Sequence, residues 1–185
     1  MKKWVYGFSA QRTAGNKSMK DLLGGKGANL AQMCDLKMPV PPGFTVSTEA
    51  CMDYYNNGKE ISTEIREEIL SELKIVETYT GKKFGAQDRP LLFSVRSGAK
   101  VSMPGMMDTV LNLGMNDLSV KTIAEQTGNP RFAWDSYRRF IQMFANVVMG
   151  VNTSILESQL EDLKEARGYT EDTELDGEDL EELVD

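Results

Sequence analysis

The stretch Leu22-Leu23-Gly24-Gly25-Lys26-Gly27-Ala28-Asn29-Leu30 decides how this chain is read. Two leucines run into a glycine cluster carrying one lysine, and Ala28-Asn29-Leu30-Ala31-Gln32-Met33 then supplies helix formers. The pattern is a loop opening into a helix N-terminus. Glycines let a backbone approach a ligand closely, and the first turn of a helix presents N–H groups, so phosphate oxygens suit such a place. It is not a Walker A loop, because Gly27 stands where that motif needs Ser or Thr and Lys20 where it needs its first glycine. A plain glycine turn with a solvated lysine fits the same residues.

Outward from this stretch, Trp4–Phe8 and Phe44–Val46 read as short strands, with Pro39, Pro41, Pro42 and Gly43 punctuating before the second. Ser47 or Thr48 can cap a helix over Glu49–Tyr55. Ile61, Ile65, Ile69, Leu73, Val76 and Tyr79 keep helical spacing up to Gly81. Leu91–Val95 is an apolar run after Pro90 and reads as a buried strand; Val110–Leu113 reads as another. Further helices are expected over Leu118–Gln126, Pro130–Met149 and Ile155–Arg167, the second with an apolar stripe of Tyr137, Phe140, Ile141, Phe144 and Val148. The expected fold class is mixed α+β, helix-rich with a small sheet.

Composition narrows the chemistry. The 185 residues contain no histidine, which excludes a histidine general base, a Ser/His or Cys/His nucleophile pair, an imidazole metal ligand and a phosphohistidine. Cys34 and Cys51 read as two buried thiols in a reducing compartment. No apolar run is long enough for a membrane helix, and Met1–Phe8 has no secretory apolar core, so a cytoplasmic protein is expected. The net charge of −7 is uneven: residues 157–185 hold 13 acidic and two basic residues, leaving residues 1–156 at +4. The acidic residues of 171–182 match no calcium loop and read as a solvated or interaction segment. A mildly basic body without a basic run argues against nucleic acid and suits a small anion.

Two further places carry candidate chemistry. Arg96 ends an apolar strand before Ser97 and Gly98, where α/β sheets place ligands, and its guanidinium suits either phosphate or a surface carboxylate. In Ser102–Thr109, Met103, Met106 and Met107 surround Pro104 and Gly105; they fit an adaptable apolar wall or a core filler. Gly105 offers backbone N–H groups and Thr109 a hydroxyl. Arg131, Arg138 and Arg139 lie on the long helix; Arg138, one residue from the apolar stripe, can reach an acidic partner or a phosphate, and a salt-bridged helix face fits all three.

Taken in order, Leu22–Leu30, Val40-Pro41-Pro42-Gly43-Phe44-Thr45, Ser94-Val95-Arg96-Ser97-Gly98-Ala99, Ser102–Gly114, Gly128–Ala133 and Asp135–Met143 resemble the N-terminal part of the pyruvate, phosphate dikinase family over roughly residues 2–150. The resemblance implies the N-terminal subdomain of an ATP-grasp-like nucleotide-binding domain over residues 1–156. It implies an acidic helical continuation over 157–185. It implies ATP, phosphate and Mg2+ as ligands of the whole enzyme, with the metal ligands elsewhere. The family converts ATP, phosphate and pyruvate to AMP, pyrophosphate and phosphoenolpyruvate through a histidine on another domain. Lys26 and Arg96 match its phosphate-contacting lysine and arginine, and Gly105 and Thr109 match a loop that closes over the triphosphate.

With no carrier histidine, the chain is expected to be a fragment that is inactive alone and partnered by the remaining domains of a homodimeric enzyme. No catalytic residue is expected within it, and neither a nucleic acid nor a membrane among its partners. Alternatives are a non-catalytic anion-binding or docking module and a related phosphoenolpyruvate synthase-type dikinase, whose loop differs from Ser102–Asp108.

Overall fold

A computed structural model describes residues 2–98 and 109–184. These residues fall into two compact units, one of residues 2–81 with Ser97 and Gly98, the other of residues 82–96 and those from Thr109 onward. The architecture is mixed α+β, with helices predominating over small sheets.

The first unit contains β1 (Val5–Phe8), α1 (Lys20–Asp35), β2 (Gly43–Val46), α2 (Thr48–Asn56) and α3 (Thr63–Thr80). β1 and β2 pair antiparallel, Val5 facing Val46 and Phe8 facing Gly43, and α3 packs on both. α2 starts where the sequence expects, with the Ser47 hydroxyl accepting from the Ala50 amide at 3.2 Å. α3 ends at Gly81 in the left-handed conformation. The buried apolar residues here are small or branched: Val5, Leu23, Ala28, Ala31, Cys34, Val40, Ala50, Ile65 and Val76. The Arg12 guanidinium forks onto the buried Glu72 carboxylate at 3.1 and 2.5 Å, which compensates the burial of that charge.

The second unit contains the short parallel pair β3 (Lys83–Phe84) and β4 (Pro90–Leu91) and the antiparallel pair β5 (Phe93–Arg96) and β6 (Thr109–Leu113). Helices α4 (Asp117–Thr127), α5 (Pro130–Val147), α6 (Ser154–Arg167) and α7 (Gly177–Val184) follow, with a 3-10 turn at Asp172–Glu174. α5 packs against α4, α7 and β6. It starts with Asn129 accepting from the Phe132 amide at 3.0 Å and with Pro130 in the first turn. Its stripe is aromatic: rings of Trp134 and Tyr137, of Tyr137 and Phe140, and of Phe140 and Phe144 lie with centroids 6.3, 6.3 and 5.8 Å apart. The Tyr137 hydroxyl donates to the Asp117 carboxylate at 2.6 Å. Burial and that carboxylate push the phenol up to about 12.

Three sequence expectations change. The run Leu91–Val95 is not one buried strand: it breaks at Leu92, and while Leu91 is buried, Val95 is 47% exposed. Among the described residues β5 has one paired neighbour, so burial does not extend across it as in the interior of a wide sheet. The acidic end is not simply solvated. Leu175 and Leu180 are fully buried against the α5 cluster, and Arg131 donates to the carbonyls of Leu175 and Asp172, both at 2.8 Å. Lys164 reaches Asp172 at 3.0 Å, and Arg167 reaches Asp179 at 2.7 Å and Glu182 at 2.6 Å, so much of the acidity is paired. Lastly, the cysteines differ: Cys34 is buried, its thiol pushed up by burial, whereas Cys51 is exposed on α2.

Candidate phosphate site

In the first unit, Lys26 sits at a break in α1. Gly24 has φ 67° and ψ 171°, which interrupts the helix, and α1 restarts at Gly25. Lys26 therefore lies in the first turn after the break, the part of a helix whose amides are suited to meet an anion. This is the loop-to-helix geometry expected from sequence, with one helical turn added before it. Gly27 has a separate reason to be glycine: a Cβ there would meet Thr45 Cγ2 at 2.8 Å and Leu23 Cβ at 3.1 Å. Its hydrogen lets α1 rest on β2. Gly25 differs again, for a Cβ at that position would meet nothing within 4 Å. The Lys26 ammonium, partly exposed, donates to the Ser97 carbonyl at 3.2 Å.

In the second unit, Arg96 and Thr109 are brought together. They are paired across the β5–β6 ladder, and paired residues of an antiparallel ladder share one face. Ser94, two residues before Arg96, projects to that same face. The opposite face carries Phe93, Val95, Val110 and Leu113. The result is a ribbon with one apolar face and an opposite face that carries the Ser94 hydroxyl, the Arg96 guanidinium and the Thr109 hydroxyl beside the 45% exposed Leu111. Neither Ser94 nor Asn112 is singled out by the sequence reading. The available signal was the spacing of Val110 and Leu113, odd for a strand whose faces alternate. Gly105 and the methionines Met103, Met106 and Met107 lie outside the described residues.

The remaining arginines of the sequence reading have structural partners. Arg138 and Arg139 each hold Asp135 at 2.8 Å. Burial alone would raise the Asp135 carboxyl, but these hydrogen bonds and charges outweigh it and hold the group below its ordinary value. Among the described residues no group of three or more His, Cys, Asp or Glu side chains is arranged to hold a metal ion. No helix among them is long and apolar enough to cross a membrane.

Residues 20–75 match the family model for the pyruvate phosphate dikinase AMP/ATP-binding domain, a span that includes Lys26 and the Gly24 break. The chain is 56% identical over 185 residues to pyruvate, phosphate dikinase of Clostridium symbiosum, covering 100% of this chain and 21% of the relative. It is 55% identical over 183 residues to the chloroplastic pyruvate, phosphate dikinase of Mesembryanthemum crystallinum, covering 99% of this chain and 19% of the relative. It is also 52% identical over 184 residues to the pyruvate, phosphate dikinase of Rhizobium meliloti, covering 100% of this chain and 20% of the relative. Along its whole length the chain is similar to pyruvate, phosphate dikinases. It spans about a fifth of the length of the curated relatives it matches. The match extends past the family-model span and takes in Arg96, Thr109 and the acidic segment.

Proposed function

We propose that this chain is the ATP- and phosphate-binding start of a pyruvate, phosphate dikinase, the enzyme that turns ATP, phosphate and pyruvate into AMP, pyrophosphate and phosphoenolpyruvate. In this reading residues 1–156 form the N-terminal subdomain of an ATP-grasp-like nucleotide-binding domain, and 157–185 its acidic helical continuation. The reading rests on one observation above all: whole-length identity of 52–56% to dikinases, with the AMP/ATP-binding family model falling on the Lys26 segment.

Phosphoryl transfer from ATP is dominated by charge, so its nucleotide site needs positioned cations and N–H donors rather than a covalent nucleophile. Lys26 and the first-turn amides after Gly24 are suited to bind phosphate oxygens, Arg96 supplies a rigid two-pronged donor, and Thr109 adds a hydroxyl beside it. Gly105 would serve as a backbone donor of the loop between them in sequence. These residues bind and orient; the acceptor histidine is contributed by another part of the enzyme. Magnesium enters this reading only as the companion of ATP.

The other domains of the enzyme are the natural partners, in a homodimer of the cytoplasm. The apolar run of Val147, Val148, Met149, Val151 and Ile155, with Met149 and Ile155 each 66% exposed, suits such docking. Replacing Lys26 or Arg96 by Ala in the enzyme that carries this stretch is expected to abolish AMP formation from ATP and phosphate. Near-normal turnover of that half-reaction would contradict the roles. The isolated chain is expected to hold ATP only at millimolar concentration, having part of the contacts, and micromolar affinity measured by calorimetry would contradict this.

A further inference from the structure

The β5–β6 ladder changes register along its length. Phe93 faces Leu113, yet Val95 faces Val110 and Arg96 faces Thr109. Leu111 and Asn112 therefore stand together against Ser94 alone, a two-against-one bulge. Asn112 has φ 58°, in the left-handed region, which asparagine tolerates and β-branched residues avoid. Its carbonyl accepts from the Met115 amide at 3.1 Å, closing the turn that leaves β6.

Continuing the ladder from Phe93–Leu113 without the bulge gives a definite alternative. Ser94 would face Asn112, Val95 would face Leu111, and Arg96 would face Val110. Thr109 would then lie on the face opposite Arg96, and Val110, now 5% exposed, would turn onto the polar face. One residue's backbone conformation thus separates two arrangements, and only one groups the guanidinium with the threonine hydroxyl.

We propose that Asn112 is a positioning residue for the phosphate site: by holding the bulge, it sets the register that places Arg96 opposite Thr109. The proposal rests on the reading of Arg96 and Thr109 as phosphate contacts. It extends that reading to a residue that touches no ligand and to the row Ser94–Arg96–Thr109 as the surface presented.

The test uses the isotope-labelled 185-residue chain, with cross-strand nuclear Overhauser contacts reporting register and ATP as the titrant. In the unaltered chain, Arg96–Thr109 contacts are expected, and the Arg96 Nε–H and Thr109 amide signals should move with ATP. Asn112→Gly keeps both, because glycine adopts the left-handed conformation freely. Asn112→Val replaces Arg96–Thr109 contacts with Arg96–Val110 contacts and raises the ATP concentration needed to move Arg96 by about tenfold. Leu175 and Leu180 methyl signals should stay in place, separating a slipped ribbon from an unfolded unit.

Deleting Asn112 removes the extra residue and should restore both the Arg96–Thr109 pairing and the ATP response. This arm decides even where the valine variant fails to fold. Arg96–Thr109 contacts and an unchanged ATP response in Asn112→Val, or loss of both on deletion, would overturn the proposal alone. Silence of Arg96 and Thr109 toward ATP in the unaltered chain would overturn the phosphate reading itself, and this proposal with it.

Discussion

The two units hold their candidate cations by opposite means. Lys26 rides on a helix drawn close to a strand by missing atoms: Gly27 against Thr45, with Ala28 and Ala31 beneath. Arg96 stands on a ribbon supported by a unit filled with large side chains, the Trp134–Phe144 aromatic series and the buried Leu175 and Leu180. The first unit should therefore suffer most from added atoms and the second from removed ones. Each unit holds one of the two tryptophans, Trp4 or Trp134, so urea unfolding followed by fluorescence in single-tryptophan variants reads them separately.

The largest expected effect is in the second unit. Leu180→Ala should cost about 2–5 kcal/mol, because Leu180 is 1% exposed in the α5–α7 packing. A change in the Trp4 transition instead of the Trp134 transition would break the comparison. Next comes Gly27→Val in the first unit, expected to cost about 1–3 kcal/mol by forcing α1 off β2, visible in the Trp4 transition. A neutral result would mean that helix and strand have room to separate.

Much of this contrast was legible in the sequence. The 3.6-residue spacing gave α3 and α5 to within a few residues because each has a continuous apolar stripe and strong end signals at Gly81 and Asn129-Pro130. Lys26 and Arg96 were legible through their glycine neighbours and strand end. Three features were not. The left-handed bulge at Asn112 depends on which strand pairs with β6. Burial of Leu175 and Leu180 depends on Arg131, Lys164 and Arg167 meeting carbonyls and carboxylates far along the chain. The exposure of β5 depends on how many strands flank it, and periodicity carries no information about neighbours.

Smaller effects sharpen the comparison through charge. Asp135→Asn should cost about 1 kcal/mol at neutral pH, a reduced figure because Arg139 is half exposed. The Asp135 carboxyl is held below its ordinary value, so its contribution is present above the ordinary carboxylate range. It should be lost as the pH falls through the lower folded value, and the variant and the unaltered chain should converge there. Tyr137 acts in the opposite direction. With its phenol raised from 10.0 to about 12, stability should be full below pH 10 and fall as the pH climbs from 10 to 12. Tyr137→Phe should flatten that alkaline fall.

The smallest expected effect on stability is also the most informative about ligands. Gly25→Ala adds a methyl group into open space within a helix and should leave stability unchanged or raise it by about 0.5–1 kcal/mol. If the backbone there receives phosphate oxygens, the same variant should weaken the ATP response of Lys26. Unchanged ATP binding would reduce Gly25 to a turn residue and leave the phosphate reading to Lys26 and Arg96.

The central claim is that this chain presents Lys26 and Arg96 to the phosphates of ATP. Side-chain-resolved heteronuclear NMR of the labelled chain during an ATP titration tests it most directly. The account predicts saturating, millimolar-range shifts at Lys26, the amides of Gly25–Gly27, Arg96 and Thr109, each lost in the matching alanine variant of Lys26 or Arg96. Shifts confined to other surfaces, or none at these residues at saturating ATP, would contradict it.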